Sequence, residues 1–141
     1  FLVARAAAPG MIRAGWGRVI NIDSQASVIG IEGHVAYCAS KAAVINLAES
    51  LSLELHNTGV DLTIVNPGFV DTPLNAAYDP KKKLFVMSAE KCARKILAKL
   101  PRKPYEIAFP REVSVFLKTA RCLPRAISFP LIRWFVKNLQ S

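Results

Sequence analysis

A chain of 141 residues with 52% hydrophobic side chains carries enough apolar material for one folded domain and too much for a disordered segment. Charge is unevenly divided: residues 1–78 hold four basic and six acidic side chains, and residues 79–141 hold fifteen and four, so the +9 net charge belongs to the second half. Three widely spaced cysteines (Cys38, Cys92, Cys122) exclude a disulfide framework and fit a reducing compartment, and no run of about 20 apolar residues suggests a membrane-spanning helix.

Taken in chain order, Leu2 to Ala14 reads as a helix kinked at Pro9-Gly10. Arg18 to Asp23 is a short β-branched run that reads as a buried strand. Val35 to Asn57 reads as a long helix with Val44, Leu47, Ala48, Leu51 and Leu55 on one stripe and Gly59 just past its end. Val60 to Asn66 is a second buried strand, running directly into Pro67-Gly68. Pro73 to Met87 lacks periodicity. Ala89 to Leu100 is a helix with Ser88 as its N-cap and Pro101 as its stop, and Tyr105 to Phe109 a last strand. Val113 to Leu123 and Ile127 to Leu139 read as short helices separated by Pro124, the second bent by Pro130.

The chemistry-bearing feature is Tyr37-Cys38-Ala39-Ser40-Lys41, because residues four apart share one face of a helix. A phenol is a poor acid or base at neutral pH unless a nearby cation stabilises the phenolate, and Lys41 is placed to be that cation. The pair alone is ordinary motif noise, so context has to carry it. Thirteen positions earlier Ser24 closes the first strand, where a hydroxyl can face a helix-borne phenol across a cleft. Ligands of open α/β sheets bind outside the carboxyl ends of the strands, so Ser24 and the Pro67-Gly68 loop should share one rim.

Gly17-Arg18-Val19-Ile20-Asn21-Ile22-Asp23-Ser24, then Tyr37-Cys38-Ala39-Ser40-Lys41-Ala42-Ala43, then Asn66-Pro67-Gly68-Phe69-Val70-Asp71-Thr72-Pro73 resemble, in order and spacing, successive motifs of the classical short-chain dehydrogenase/reductase family. The resemblance covers residues 1 to about 100 well and the basic tail more loosely. It implies an α/β fold with a Rossmann-like doubly wound parallel sheet, of which this chain is the carboxyl-terminal part. Residues 1–110 would belong to the NAD(P)-binding domain and 111–141 would be its basic amphipathic helical tail. It further implies Tyr37 as general acid/base, Lys41 as its partner and a ligand of the nicotinamide ribose, and Ser24 as the donor that orients the substrate carbonyl. Pro67, Gly68, Val70 and Thr72 would hold the nicotinamide end. The cofactor would be NAD or NADP, which these residues do not distinguish.

Two departures stand out: Asp23 where the family commonly has serine, and Ser27 where glycine is common; neither position is catalytic. No Gly-rich pyrophosphate turn occurs in the sequence. That turn, the residue selecting the dinucleotide and the catalytic asparagine would all precede Phe1. The chain therefore reads as a piece of a longer enzyme, expected to be inactive alone and to expose the edge of the strand at Arg18 to Asp23.

Several readings stay open. The stretch Pro73 to Met87 is either a substrate-covering lid lined by Leu74, Tyr78, Leu84 and Phe85 or a bland surface loop. His34 borders the cleft and is a candidate substrate contact; His56 suits a helix end. Two isolated histidines make no metal site. The basic tail, with Phe116, Leu117, Leu123, Phe129, Leu131, Ile132, Trp134 and Phe135 between its cations, either lies on an anionic membrane surface or packs on the fold or a second subunit. Nucleic acid is not expected as a partner. The expected function is oxidoreduction of an apolar carbonyl or secondary alcohol in the cytoplasm, with homo-oligomers formed through the first two helices. The alternative is a non-catalytic piece that binds a partner or associates with a membrane surface.

Overall fold

The computed structural model describes residues 1–73 and 85–140. Its elements are α1 (Leu2–Arg13), β1 (Gly17–Ile22), a 3-10 turn at Gln25–Ser27, α2 (Val35–Glu54), β2 (Val60–Pro67), β3 (Val70–Asp71), β4 (Met87–Ser88), α3 (Ala89–Lys99), a 3-10 turn at Leu100–Arg102, β5 (Glu106–Phe109), α4 (Arg111–Cys122) and α5 (Arg125–Gln140).

Three strands form a parallel sheet in the order β1-β2-β5. Gly17 pairs with Val60 and Ile22 with Val65; Ile64 pairs with Glu106 and Pro67 with Phe109. The central strand β2 is covered on both faces, so Thr63 and Asn66 are buried along with its apolar residues. Val60, Leu62 and Ile64 meet Ala48, Leu51 and Leu55 of the α2 segment, with Ala4, Ala8 and Met11 of α1 laid against them. On the opposite face Val65 joins Met87, Cys92, Ile107 and Phe109 under α3. Burying each such aliphatic side chain is worth about 1.5–3 kcal/mol, so this double core, not the helices' own propensity, holds the sheet.

Polar contacts fix the ends. Thr63, wholly buried, donates its hydroxyl to Pro104 O at 2.8 Å. Asp61 takes ion pairs from Arg18 and Lys103, and Arg18 also donates to Leu100 O. Gly59 turns the chain into β2 at φ +84°, and a Cβ there would come 2.1 Å from Gly15 O, so only glycine lets the two loops cross.

Every element expected from the sequence is present, with bounds shifted by one to three residues. The long helix stops at Glu54 because Asn57, at φ +63°, has already left the helical region. Pro9 and Pro130 sit inside continuous helices; both are exposed, where the carbonyls they leave unbonded can turn to water. The expected open edge is real: β1 ends the sheet, with Ile20 and Ile22 exposed. Of the suggested lid, Leu74, Tyr78 and Leu84 lie outside the described residues, and Phe85 is exposed. The three cysteines are free thiols.

Candidate active site at the carboxyl end of the sheet

The site is built where β1 and β2 end. Ser24 lies two residues past the end of β1 and caps the 3-10 turn, its Oγ accepting from Ala26 N at 3.1 Å. The turn is anchored from below: Gln25 is buried and its side-chain amide donates to Phe109 O and Pro110 O, tying the segment after β1 to the end of β5. Ser24 is thus held by buried backbone and not by a free loop.

Tyr37 and Lys41 lie in the first two turns of α2. Lys41 Nζ donates to Ile22 O at 3.1 Å, two residues before Ser24, and stands 5.9 Å from the centroid of the Tyr37 ring. One ammonium therefore bridges the helix to the rim of the sheet, and serine, phenol and lysine share the same end of the strands. The Tyr37 ring is 36% exposed, open to a reactant. His34, the residue before α2, has its ring Nδ1 3.0 Å from Glu32 O.

The loop after β2 occupies the neighbouring rim. Gly68 N donates to Phe109 O at 2.7 Å, and a Cβ on Gly68 would come 2.9 Å from Pro110 Cδ, so the close passage of this loop over the end of β5 requires glycine. Val70 starts β3 and pairs with Met87 of β4. Thr72 Oγ1 donates to Val70 O at 3.5 Å, a long bond. Pro67, Gly68, Val70 and Thr72 thus form a continuous rim beside the lysine's strand end.

Behind this rim is a polar layer that the motif reading did not single out. Register puts Asn21, Asp23 and Asn66 on one sheet face, since Asn21 pairs with Ile64 and Asp23 N donates to Val65 O. Asn66 donates to Glu106 Oε1 at 2.7 Å, and Lys118 of α4 pairs with the other Glu106 oxygen. Asp23 is only 3% exposed, and among the described residues neither of its oxygens has a hydrogen-bond partner; Asn66 Oδ1 lacks one too. Burial pushes the Asp23 carboxyl above the usual carboxylate range, aided by Glu106, while the Ser27 hydroxyl and the Lys41 ammonium pull the other way without prevailing. Strand alternation was the signal that could have exposed this layer, because Asn21 and Asp23 are two apart.

Among the described residues no cluster of three His, Cys, Asp or Glu could hold a metal ion, and no helix is long and apolar enough to cross a membrane.

Comparison with known proteins agrees with this geometry. The family described as short chain dehydrogenase matches residues 1–83. An uncharacterized oxidoreductase of Myxococcus xanthus is 32% identical over 119 residues, covering 84% of this chain and 47% of the relative. An NAD-dependent glycerol dehydrogenase of Listeria innocua is 39% identical over 74 residues, covering 52% of this chain and 29% of the relative. A short-chain dehydrogenase from Sphingobium yanoikuyae, solved in complex with NADPH, superposes with a TM-score of 0.71 at 27% identity, covering 82% of this chain and 46% of that one. The chain thus spans about half the length, or less, of these relatives. With a match over more than half of its residues and the parallel sheet to go with it, the chain belongs to the short-chain dehydrogenase/reductase family.

Proposed function

We propose that this chain carries the catalytic half of an NAD(P)-dependent oxidoreductase that interconverts an apolar carbonyl compound and the corresponding secondary alcohol. The observation that carries the reading is Lys41 Nζ, hydrogen-bonded to Ile22 O and 5.9 Å from the Tyr37 ring, which joins phenol and ammonium to the strand end that bears Ser24.

The donor set suits the cofactor: the Tyr37 hydroxyl and the Lys41 ammonium can meet ribose hydroxyls, and Pro67, Gly68, Val70 and Thr72 offer backbone and a hydroxyl at the adjoining rim. The bound nicotinamide supplies or takes up the hydride. In the reductive direction Ser24 Oγ–H donates to the carbonyl oxygen and orients it, and Tyr37 gives its phenolic proton to that oxygen. Lys41 stabilises the phenolate left behind; in the oxidative direction the same phenolate accepts the alcohol proton. On this reading residues 1–110 are the cofactor-binding domain's carboxyl-terminal part and 111–141 its tail. Exposed Leu2, Val3 and Leu53 on α1 and α2 favour subunit pairing through those helices.

The test is Tyr37→Phe in the intact protein, assayed for oxidation of NADH and NADPH against a panel of aliphatic and aromatic ketones. Loss of turnover by 100-fold or more, with cofactor binding retained by fluorescence titration, is expected for a lost proton donor, whose contribution is about 10²–10⁴-fold. Turnover equal to that of the unaltered protein overturns the proposal in favour of a non-catalytic role.

A further inference from the structure

Beyond residue 83, where the family match ends, the chain continues through β4, α3 and β5 into α4 and α5, and no acidic side chain follows Glu112. α5 is anchored on one side only. Phe135 stacks on Phe116 of α4 with ring centroids 4.4 Å apart, and Leu131, Ile132 and Val136 are half-buried with it. The other side is exposed and mixed in a particular way. Ile127 (54% exposed) and Trp134 (63%) stand seven positions apart, hence on one stripe, with Leu123 exposed just before the helix. Arg133 and Lys137 lie beside this stripe, also exposed, while Arg125 lies over the ring of exposed Phe129 at 5.3 Å.

We propose that α5 docks peripherally on an anionic lipid surface, Ile127 and Trp134 entering the interface and Arg133 and Lys137 meeting the headgroups. Three observations favour lipid over a protein partner. Its apolar side chains Ile127 and Trp134 stand seven positions apart on one helix, singly among long cations and not as a contiguous apolar patch. All formal charge on it is of one sign, which complements a negatively charged surface. An indole flanked by arginine and lysine on a helix with a polar outer side is the composition of helices that lie in the interfacial plane. A helix of 16 residues containing Pro130 is about 24 Å long and would rest along such a surface, not across it. The proposal does not depend on the chemistry at Tyr37 and should hold equally in Tyr37→Phe.

The chain has two tryptophans, Trp16 and Trp134, so the 141-residue chain carrying Trp16→Phe reports on α5 alone. It is mixed with vesicles of phosphatidylcholine and phosphatidylglycerol (70:30) and with pure phosphatidylcholine vesicles, at 50 mM and 500 mM salt. Expected are co-sedimentation with the anionic vesicles, a blue shift of Trp134 emission, and at least a tenfold loss of binding at high salt or on neutral vesicles. Arg133→Gln/Lys137→Gln should weaken binding at least tenfold with an unchanged circular dichroism spectrum. Should that double variant misfold, Trp134→Ser, read by sedimentation, takes its place and should weaken binding at least tenfold. Absence of binding, binding without a blue shift, or binding insensitive to salt overturns the proposal. So does a Trp134 shift that follows protein concentration without vesicles, which would identify a second copy as the occupant, or one produced by single-stranded DNA and not by vesicles.

Discussion

Asp23→Asn should stabilise the protein at neutral pH, although it alters a residue adjacent to Ser24. The carboxylate is 3% exposed, and among the described residues neither oxygen has a partner at full hydrogen-bond geometry, so its desolvation is offset only in part, by the Ser27 hydroxyl, the Lys41 ammonium and the Ser24 backbone. Desolvation prevails, and the carboxyl holds its proton more tightly in the folded chain than in the unfolded one, whose value lies near 3.8. Below that pH both states are protonated and the exchange should matter little. As pH rises through 3.8 the unfolded chain loses its proton first, and native stability declines until the folded carboxyl has also ionised. A neutral amide removes that loss and offers a donor on the sheet face where, among the described residues, Asn66 Oδ1 has none. Leaving a buried polar group unsatisfied costs about 1–3 kcal/mol, so the variant should gain about that much at pH 7. Urea unfolding followed by circular dichroism from pH 4 to pH 8 measures it, the difference between the two proteins growing as pH rises. Destabilisation at pH 7, or a difference that does not change with pH, would mean that attraction to Lys41 outweighs burial and would refute the reasoning.

Two further substitutions probe the frame that positions the site. Ile107→Ala empties a fully buried position between β2 and α3 and should lower unfolding free energy by about 2–5 kcal/mol, read from denaturant midpoints. Gly59→Ala puts a methyl group 2.1 Å from Gly15 O at a positive φ, so it should cost more than about 1 kcal/mol, whereas Gly10→Ala, with open space around it, should be neutral or stabilising in the same thermal scan.

Much of the site was legible because its parts are local. The Tyr37 to Lys41 spacing is a property of one helix, Ser24 is marked by the end of a β-branched run, and Pro67-Gly68 announces the turn after β2 without reference to any other segment. Ser88 as N-cap is equally local, and its hydroxyl does accept from Lys91 N. What escaped were partners distant along the chain. Gln25 on Phe109 O spans 84 positions and Arg121 on Val28 O spans 93, and nothing in the intervening residues foretells either bond. The layer of Asn66, Glu106 and Lys118 behind the rim was likewise invisible, since strand order and register decide which polar side chains share a face.

Taken alone, the amino-acid sequence determined which segments are helix and strand, that Tyr37 and Lys41 share one helix face, and that the basic residues gather in the second half. Those follow from backbone periodicity, capping and composition, which act over a few residues. Only the tertiary structure decided that one lysine reaches from α2 to the carbonyl of Ile22, that a carboxyl beside Ser24 is buried, and that Ile127 and Trp134 are exposed among cations. Each of these depends on where a distant segment lies, and therefore on packing, desolvation and pairing register that no local pattern encodes.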